Sequence, residues 1–288
     1  MTRSYMMITG ATGGLGKAFA AECAMRGWNL LLTDIQPTPL THLAQGLGNL
    51  YGIDVLTHAC DLSSPEARDQ MWAQIDQLGI RLRGLINVAG LDYEGMFLER
   101  DTQQIRTILR VNVESTLETT HHALHLREKG GTFHVINVSS LAAYQPMPVK
   151  AVYAASKRLL LDFSLAMHHE LRPHGVVVTA LCPAGMPTTP ACVEGIRAQG
   201  WLGRLTTVNT GDVAAQTLNA TLAGRAVVIP GVFNRLLQLA SGLLPPYLVS
   251  YLVGQRWQKA REQRRDPALI QLPDVKISVK LAKIEPMS

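Results

Sequence analysis

The chain has 288 residues, of which 47% are hydrophobic and 17% charged: enough apolar material for a large core and too little charge for a disordered chain. Its four cysteines (Cys23, Cys60, Cys182, Cys192) form no CxxC pair, which excludes a disulfide-stapled scaffold and fits a reducing, cytoplasmic setting. The net charge of +5 sits almost wholly in residues 255–288, which carry eight cations against four anions, so the body offers no basic face for nucleic acid.

The apolar run at residues 5–8 is too short for a signal peptide and leads straight into a glycine turn, so it reads as a strand. Six further short apolar runs follow, at 28–33, 54–59, 85–88, 132–138, 176–181 and 225–229. Between them, helical spacing covers roughly 15–26, 66–78, 102–127, 152–171 and 211–223. Strand and helix in alternation, with few hairpin signals, build parallel βαβ units whose right-handed crossovers put helices on both faces of one sheet. The expected fold is therefore α/β, a doubly wound Rossmann-type parallel sheet of about seven strands over residues 1–230. A helical extension and tail fill 231–288. No uninterrupted apolar run reaches the ~18 residues that a membrane-spanning helix needs.

Three groups of residues carry chemistry. After the first strand, Thr9-Gly10-Ala11-Thr12-Gly13-Gly14-Leu15-Gly16 opens a helix. Small residues there let backbone N–H groups approach a pyrophosphate, and the helix N-terminus adds its positive dipole end. The glycines fit both a Gly-xxx-Gly-x-Gly and a Gly-xx-Gly-xx-Gly spacing. Asp34 ends the second strand, where its carboxylate can accept from both adenosine ribose hydroxyls and repel a 2′-phosphate. Neither Gly13 nor Ile35 supplies a cation for that phosphate, so NAD(H) is favoured over NADP(H). Asp61-Leu62, after the third strand, stands where an adenine edge could lie. The third group is Ser140, at the end of the fifth strand, with Tyr153 and Lys157 on the next helix. Spacing of i and i+4 puts the phenol and the ammonium on one helix face. A fixed ammonium favours the ionised phenol, which predicts a Tyr153 pKa lowered toward working pH and a proton passed to or from a substrate oxygen. Ser140 can hydrogen-bond that same oxygen.

With these residues in order, the sequence resembles the compact, single-domain branch of the short-chain dehydrogenase/reductase family, possible hydroxysteroid dehydrogenases among them, over about residues 5–230. The resemblance rests on the glycine turn, Asp61-Leu62, Asn87-Val88-Ala89-Gly90, Asn112, Ser140, Tyr153, Lys157 and Pro183-Ala184-Gly185-Met186-Pro187-Thr188. It implies Tyr153 as acid/base, Lys157 on the nicotinamide ribose, Ser140 orienting the carbonyl or alcohol, and Asn112 holding a helix open around a relay water. It implies that Asn87, Ala89 and Gly90 close the fourth strand under the cofactor, that Pro183 and Gly185 belong to the cofactor site, and that Thr188 touches the nicotinamide amide or the pyrophosphate. Homodimers or homotetramers are expected from the same resemblance. Val88 and Ala184 depart from the usual Asn and Gly without removing a reacting group.

The substrate loop is expected at about 183–208, with Met186, Pro187, Pro190, Cys192, Val193, Ile196 and Trp201 as apolar lining. Leu91, Met96, Phe97, Leu141, Tyr144, Met147 and Val149 are expected to form the other wall. Such a pocket suits a small lipophilic alcohol or ketone, a hydroxysteroid for instance, and a 3-oxoacyl thioester is the alternative substrate. A non-catalytic dinucleotide-binding sensor is the alternative of another class. His121 and His125 have i, i+4 spacing, but no acid or thiol joins them, and no metal site is expected. The extension contains apolar runs at 232–244 and 247–253 and a basic helical run at 257–265. These amphipathic helices cover the substrate mouth, join subunits, or rest on a membrane surface through residues 231–265. Strict alternation at 274–281 suggests an edge strand or an arm to a partner, against a disordered tail.

Overall fold

The computed structural model describes residues 3–188, 192, 194 and 205–265, with backbone alone at Ser241 and 256–265. Seven strands form one sheet in the order β3-β2-β1-β4-β5-β6-β7. They are β1 (Ser4–Thr9), β2 (Asn29–Asp34), β3 (Val55–Ala59), β4 (Arg81–Asn87), β5 (Phe133–Val138), β6 (Val176–Leu181) and β7 (Val227–Val228). Every adjacent pair is parallel. The doubly wound α/β expectation therefore holds, with the seventh strand cut to two residues.

Period-two side chains split the core into two layers. Met6, Ile8, Leu30 and Leu32 face α1 (Gly14–Met25), α2 (Pro37–Tyr51) and α7 (Thr210–Leu222), through Phe19, Leu40 and Leu218. Tyr5, Met7 and Leu31 face the other side, where Met71, Trp72 and Ile75 of α3 (Pro65–Gln77) and Ala123 of α5 (Ser115–His125) complete the layer. α6 (Ala151–Leu171) packs beyond them, with Leu161 against Ala180 and Cys182.

Three elements differ from the sequence reading. α2 is not among the expected helices, and it carries Pro37, Pro39, Gly46 and Gly48. Yet Pro at the first helical positions costs nothing there, Leu40, Ala44 and Leu47 bury one stripe, and Gly52 at φ 65° ends the helix. The single helix expected at 102–127 is broken. α4 (Thr102–Leu109) passes through a π-helical segment, Arg110–Glu114, before α5 begins. The basic and apolar runs of the extension merge: α8 (Val232–Gly242) is followed by one long α9 (Pro246–Arg265). The alternating segment 274–281 lies outside the described residues.

Candidate active site

Because all strands run the same way, their carboxyl ends share one sheet edge. Register aligns Thr9 with Thr33 and Asn87, and Asn87 with Asn137. The turns leaving these strand ends line a single cleft of 1310 Å³. Gly10, Thr12, Gly13, Gly14, Leu15 and Gly16 form one end of it, beside Asp34, Asp61 and Leu62. Ala89, Gly90, Ser140, Tyr153, Lys157, Pro183, Gly185 and Thr188 form the floor and the opposite wall.

The glycine turn fits a dinucleotide. Gly13 has no side chain to cap the first-turn N–H groups of α1, so those donors are left to the cleft. Gly10 adopts φ 63°, and a Cβ on it would lie 2.8 Å from the Ala89 backbone. A Cβ on Gly16 would stand 2.1 Å from the Gly10 carbonyl oxygen. Gly14 lies under Thr188, whose Cγ2 would be 2.9 Å from an added Cβ. The turn thus depends on glycine to fold back on itself, and Thr188 closes over it. The buried Asp34 carboxylate is fixed by two backbone donors, Thr12 N to Oδ2 at 2.9 Å and Gln36 N to Oδ1 at 3.2 Å.

Two anticipated residues lie below the cleft. Asn87 is buried, and its Nδ2 donates to Thr120 Oγ1 and Asn137 Oδ1 at 3.1 and 2.9 Å. It braces the strand ends and is absent from the cleft lining. Thr9 holds the next two residues, its Oγ1 accepting from Val88 N and Ala89 N. Asn112 sits in the π-helical segment, fully buried. Its Oδ1 accepts from Leu91 N at 2.7 Å, and its Nδ2 donates to Leu91 O and Ser156 Oγ. The helix is thus opened at Asn112, whose side chain clamps the Leu91 backbone.

Ser140, Tyr153 and Lys157 are brought together on one wall. Lys157 is buried, donates from Nζ to Val138 O at 2.8 Å, and lies 5.8 Å from the Tyr153 ring centroid. Ser139, beside Ser140 and not among the anticipated site residues, donates to the Lys157 carbonyl at 2.6 Å and so pins α6 to the end of β5. The anticipated lowering of the phenol does not hold. Burial pushes Tyr153 up to about 12, the Asp92 carboxylate adds to this, and hydrogen bonding with Ser140 opposes it. Burial pushes Lys157 down to about 8 against the pull of Asp92 and Cys182. The charged forms of both groups are thus disfavoured by their burial, which runs against the anticipated stabilisation of a phenolate.

Two neighbours carried no signal in the sequence, because they lie 58 residues apart. Lys150 Nζ pairs with Asp92 Oδ2 at 2.5 Å and lies 3.7 Å from Glu94 Oε2. The turn that aims Lys150 is strained: Val149, at φ 74°, is the one non-glycine residue with positive φ among the described residues. Its carbonyl accepts from Gly95 N at 3.0 Å, which ties this turn to the loop bearing Asp92.

The expected substrate wall is partly realised. Leu91, Leu141, Met147, Met186 and Cys192 line the cleft, together with Leu237 and Val253 of the extension. Met96 and Phe97 are exposed and do not line it. Tyr144 packs against the Leu161 cluster, where burial raises its phenol, and Val149 is buried outside the lining. Pro190, Val193, Ile196 and Trp201 lie outside the described residues. His121 and His125 approach to 3.4 Å between Nε2 atoms at an exposed site, while His122 stacks on Trp72. Among the described residues, no group of three or more His, Cys, Asp or Glu could hold a metal ion.

Comparison with known proteins points the same way as the cleft. The model of the short chain dehydrogenase family matches residues 4–195. The very-long-chain 3-oxoacyl-CoA reductase of Phaeosphaeria nodorum is 30% identical over 182 residues, covering 61% of this chain and 52% of that protein. Its namesake from Bos taurus is 26% identical over 194 residues, covering 66% and 62%. The chain therefore spans less than two thirds of these relatives. Among solved structures, a 7β-hydroxysteroid dehydrogenase superposes with a TM-score of 0.80 at 23% identity, covering 88% of this chain and 97% of that one. At that identity the likeness is one of fold.

Proposed function

The chain belongs to the short-chain dehydrogenase family, and from that premise we propose that it is an oxidoreductase interconverting a lipophilic secondary alcohol and its ketone, with NAD(H) as partner. The observation that carries this reading is the convergence of the Tyr153 phenol, Ser140 and Lys157 on one wall of a cleft whose other end is the glycine turn. The glycine turn, Asp34, Ala89, Gly90 and Thr188 would hold the dinucleotide, which supplies the hydride when bound.

The protein's own part is orientation and a proton. Ser140 and Tyr153 present two hydroxyls to a substrate oxygen at the same place. A phenol held near 12 keeps its proton at neutral pH, so Tyr153 is set as the acid that protonates the oxygen formed from a ketone. Lys157, fixed by Val138 O and packed against Gly90, supports the cofactor ribose side of the site. A Cβ on Gly90 would come 3.2 Å from its Nζ. Asp34 favours NAD(H), since its carboxylate would meet a 2′-phosphate with like charge.

The apolar wall of Leu91, Leu141, Met147 and Met186 supports a lipophilic substrate. A second reading, a long-chain 3-oxoacyl thioester, is favoured by the names of the relatives at 26% and 30% identity. Turnover of hydroxysteroids, aliphatic ketones and 3-oxoacyl thioesters, each with NADH and NADPH, separates the two. Tyr153→Phe is expected to lower kcat/KM by about 10²–10⁴-fold while dinucleotide binding persists. Binding of NADH with no turnover of any substrate would instead identify a dinucleotide sensor.

A further inference from the structure

Among the described residues, exposed large apolar side chains gather on α8 and α9, two consecutive helices joined by a short turn. Residues 232–255 carry one charge, Arg235, and no acid. A few residues anchor the hairpin to the body. Asn234 Nδ2 donates to the carbonyls of Pro230 and Thr206 at 2.8 and 3.1 Å, Val249 is buried, and a Cβ on Gly254 would sit 3.1 Å from Pro148 Cγ. On the opposite face the side chains are exposed among the described residues. Val232, Leu236, Leu239 and Leu243 recur at helical spacing, and Tyr247 and Tyr251 follow on α9. Leu239 is 62% exposed, Leu243 86% and Tyr247 77%. Scattered apolar residues on a surface need no explanation, but exposed apolar residues recurring along one helix and continuing onto the next mark an interaction face.

Charge identifies what the face meets. Along the same helix, residues 256–265 hold five cations (Arg256, Lys259, Arg261, Arg264, Arg265) and one anion, Glu262. An apolar stripe without acids, joined to a cationic run, complements an anionic lipid surface. Exposed tyrosines suit the headgroup boundary, where a ring is half in hydrocarbon and its hydroxyl in water. A second copy docked through this face would bring the same cationic run, with no acid in either stripe to receive it. Among the described residues no helix is long and apolar enough to cross a membrane, so the helices would lie on the surface. Leu237 on α8 and Val253 on α9 also line the cleft, which places the cleft beside this hairpin.

We propose that the α8–α9 hairpin docks the protein on an anionic lipid bilayer, with the cleft opening next to the bilayer surface. The inference stands on the hairpin alone and is independent of the substrate reading. Flotation of the full chain with vesicles of phosphatidylcholine alone, and of phosphatidylcholine with about 30% phosphatidylserine, tests it. The chain should float with the phosphatidylserine vesicles, and binding should fall as salt rises from about 0.1 M to about 0.5 M. The triple variant Leu239→Asp, Leu243→Asp, Tyr247→Asp should bind at least about tenfold more weakly, with an unchanged circular-dichroism melt and unchanged NADH binding. The single variant Leu243→Asp, at the most exposed position, should show the same trend. No binding to either vesicle, or equal binding to both at all salt concentrations, would overturn the assignment. So would a dimer in sedimentation velocity that the triple variant splits while the parent ignores vesicles.

Discussion

Burial moves Tyr153 and Lys157 toward their neutral forms, and this gives stability a pH signature. Lys157 falls from 10.5 to about 8, so between those values the unfolded chain holds a proton that the folded protein has released, and stability rises with pH. Tyr153 rises from 10.0 to about 12, so over that range the folded protein keeps a proton that the unfolded chain loses, and stability falls. Urea unfolding across this range should show the rise missing in Lys157→Met and the fall missing in Tyr153→Phe, each judged as a difference from wild type. Asp34→Ala removes the carboxylate that Thr12 N and Gln36 N fix in place. It should narrow the NADH over NADPH preference in kcat/KM by about tenfold or more, equivalent to ~1.4 kcal/mol, and a wild-type preference for NADPH would show that Asp34 does not select. At this scale the reacting groups were legible, because Ser140, Tyr153 and Lys157 are fixed by local spacing. The direction of the Tyr153 shift was not, since it depends on burial in the folded chain and on Asp92, which is distant in sequence.

At the scale of elements, one buried arginine links three of them. Arg68 of α3 is fully buried and donates to Leu62 O at 2.8 Å, to Glu118 Oε2 at 2.6 Å and to Glu114. It therefore ties the loop bearing Asp61 and Leu62 to the π-helical segment and α5. Both glutamates are half exposed and can return to water when the arginine goes, which limits the loss to a cavity and one unpaired carbonyl. Arg68→Met should cost about 2–3 kcal/mol in urea unfolding and weaken NADH binding, because Leu62 borders the cleft. Asn112→Leu keeps the volume but leaves Leu91 N and O without their partner. It should destabilise by about 2–4 kcal/mol and lower kcat more than it raises KM, read by steady-state kinetics beside a thermal melt. Helices with a continuous apolar stripe were readable. The break at Arg110–Glu114 left no mark on the periodicity and was anticipated only through the resemblance, because the Asn112 side chain there reaches across to Leu91. α2 was hidden by its prolines and glycines, although their positions suit a helix start and a helix end.

For the molecule as a whole, the cleft draws on six of the seven strand ends, so a dinucleotide bound there joins both halves of the sheet. NADH at about 100 times its Kd should stabilise the fold by about 2.7 kcal/mol, seen as a rise in Tm, and the rise should shrink in Asp34→Ala. The alternation of runs along the chain was enough to give a parallel sheet with helices on both faces, while the strand order was not legible, because crossover handedness sets only the face on which each helix lies. What the extension rests against could not be read from it, because its stripe is satisfied equally by protein or lipid. The strand order carries one more consequence, for synthesis on the ribosome. β1 is an interior strand, and β2 and β3 add outward on one flank alone. Its other edge, with Met6, Met7 and Ile8, stays open until Arg81–Asn87 has emerged. A nascent chain stalled in that interval would present a bare apolar strand edge, the species on which a holdase chaperone acts.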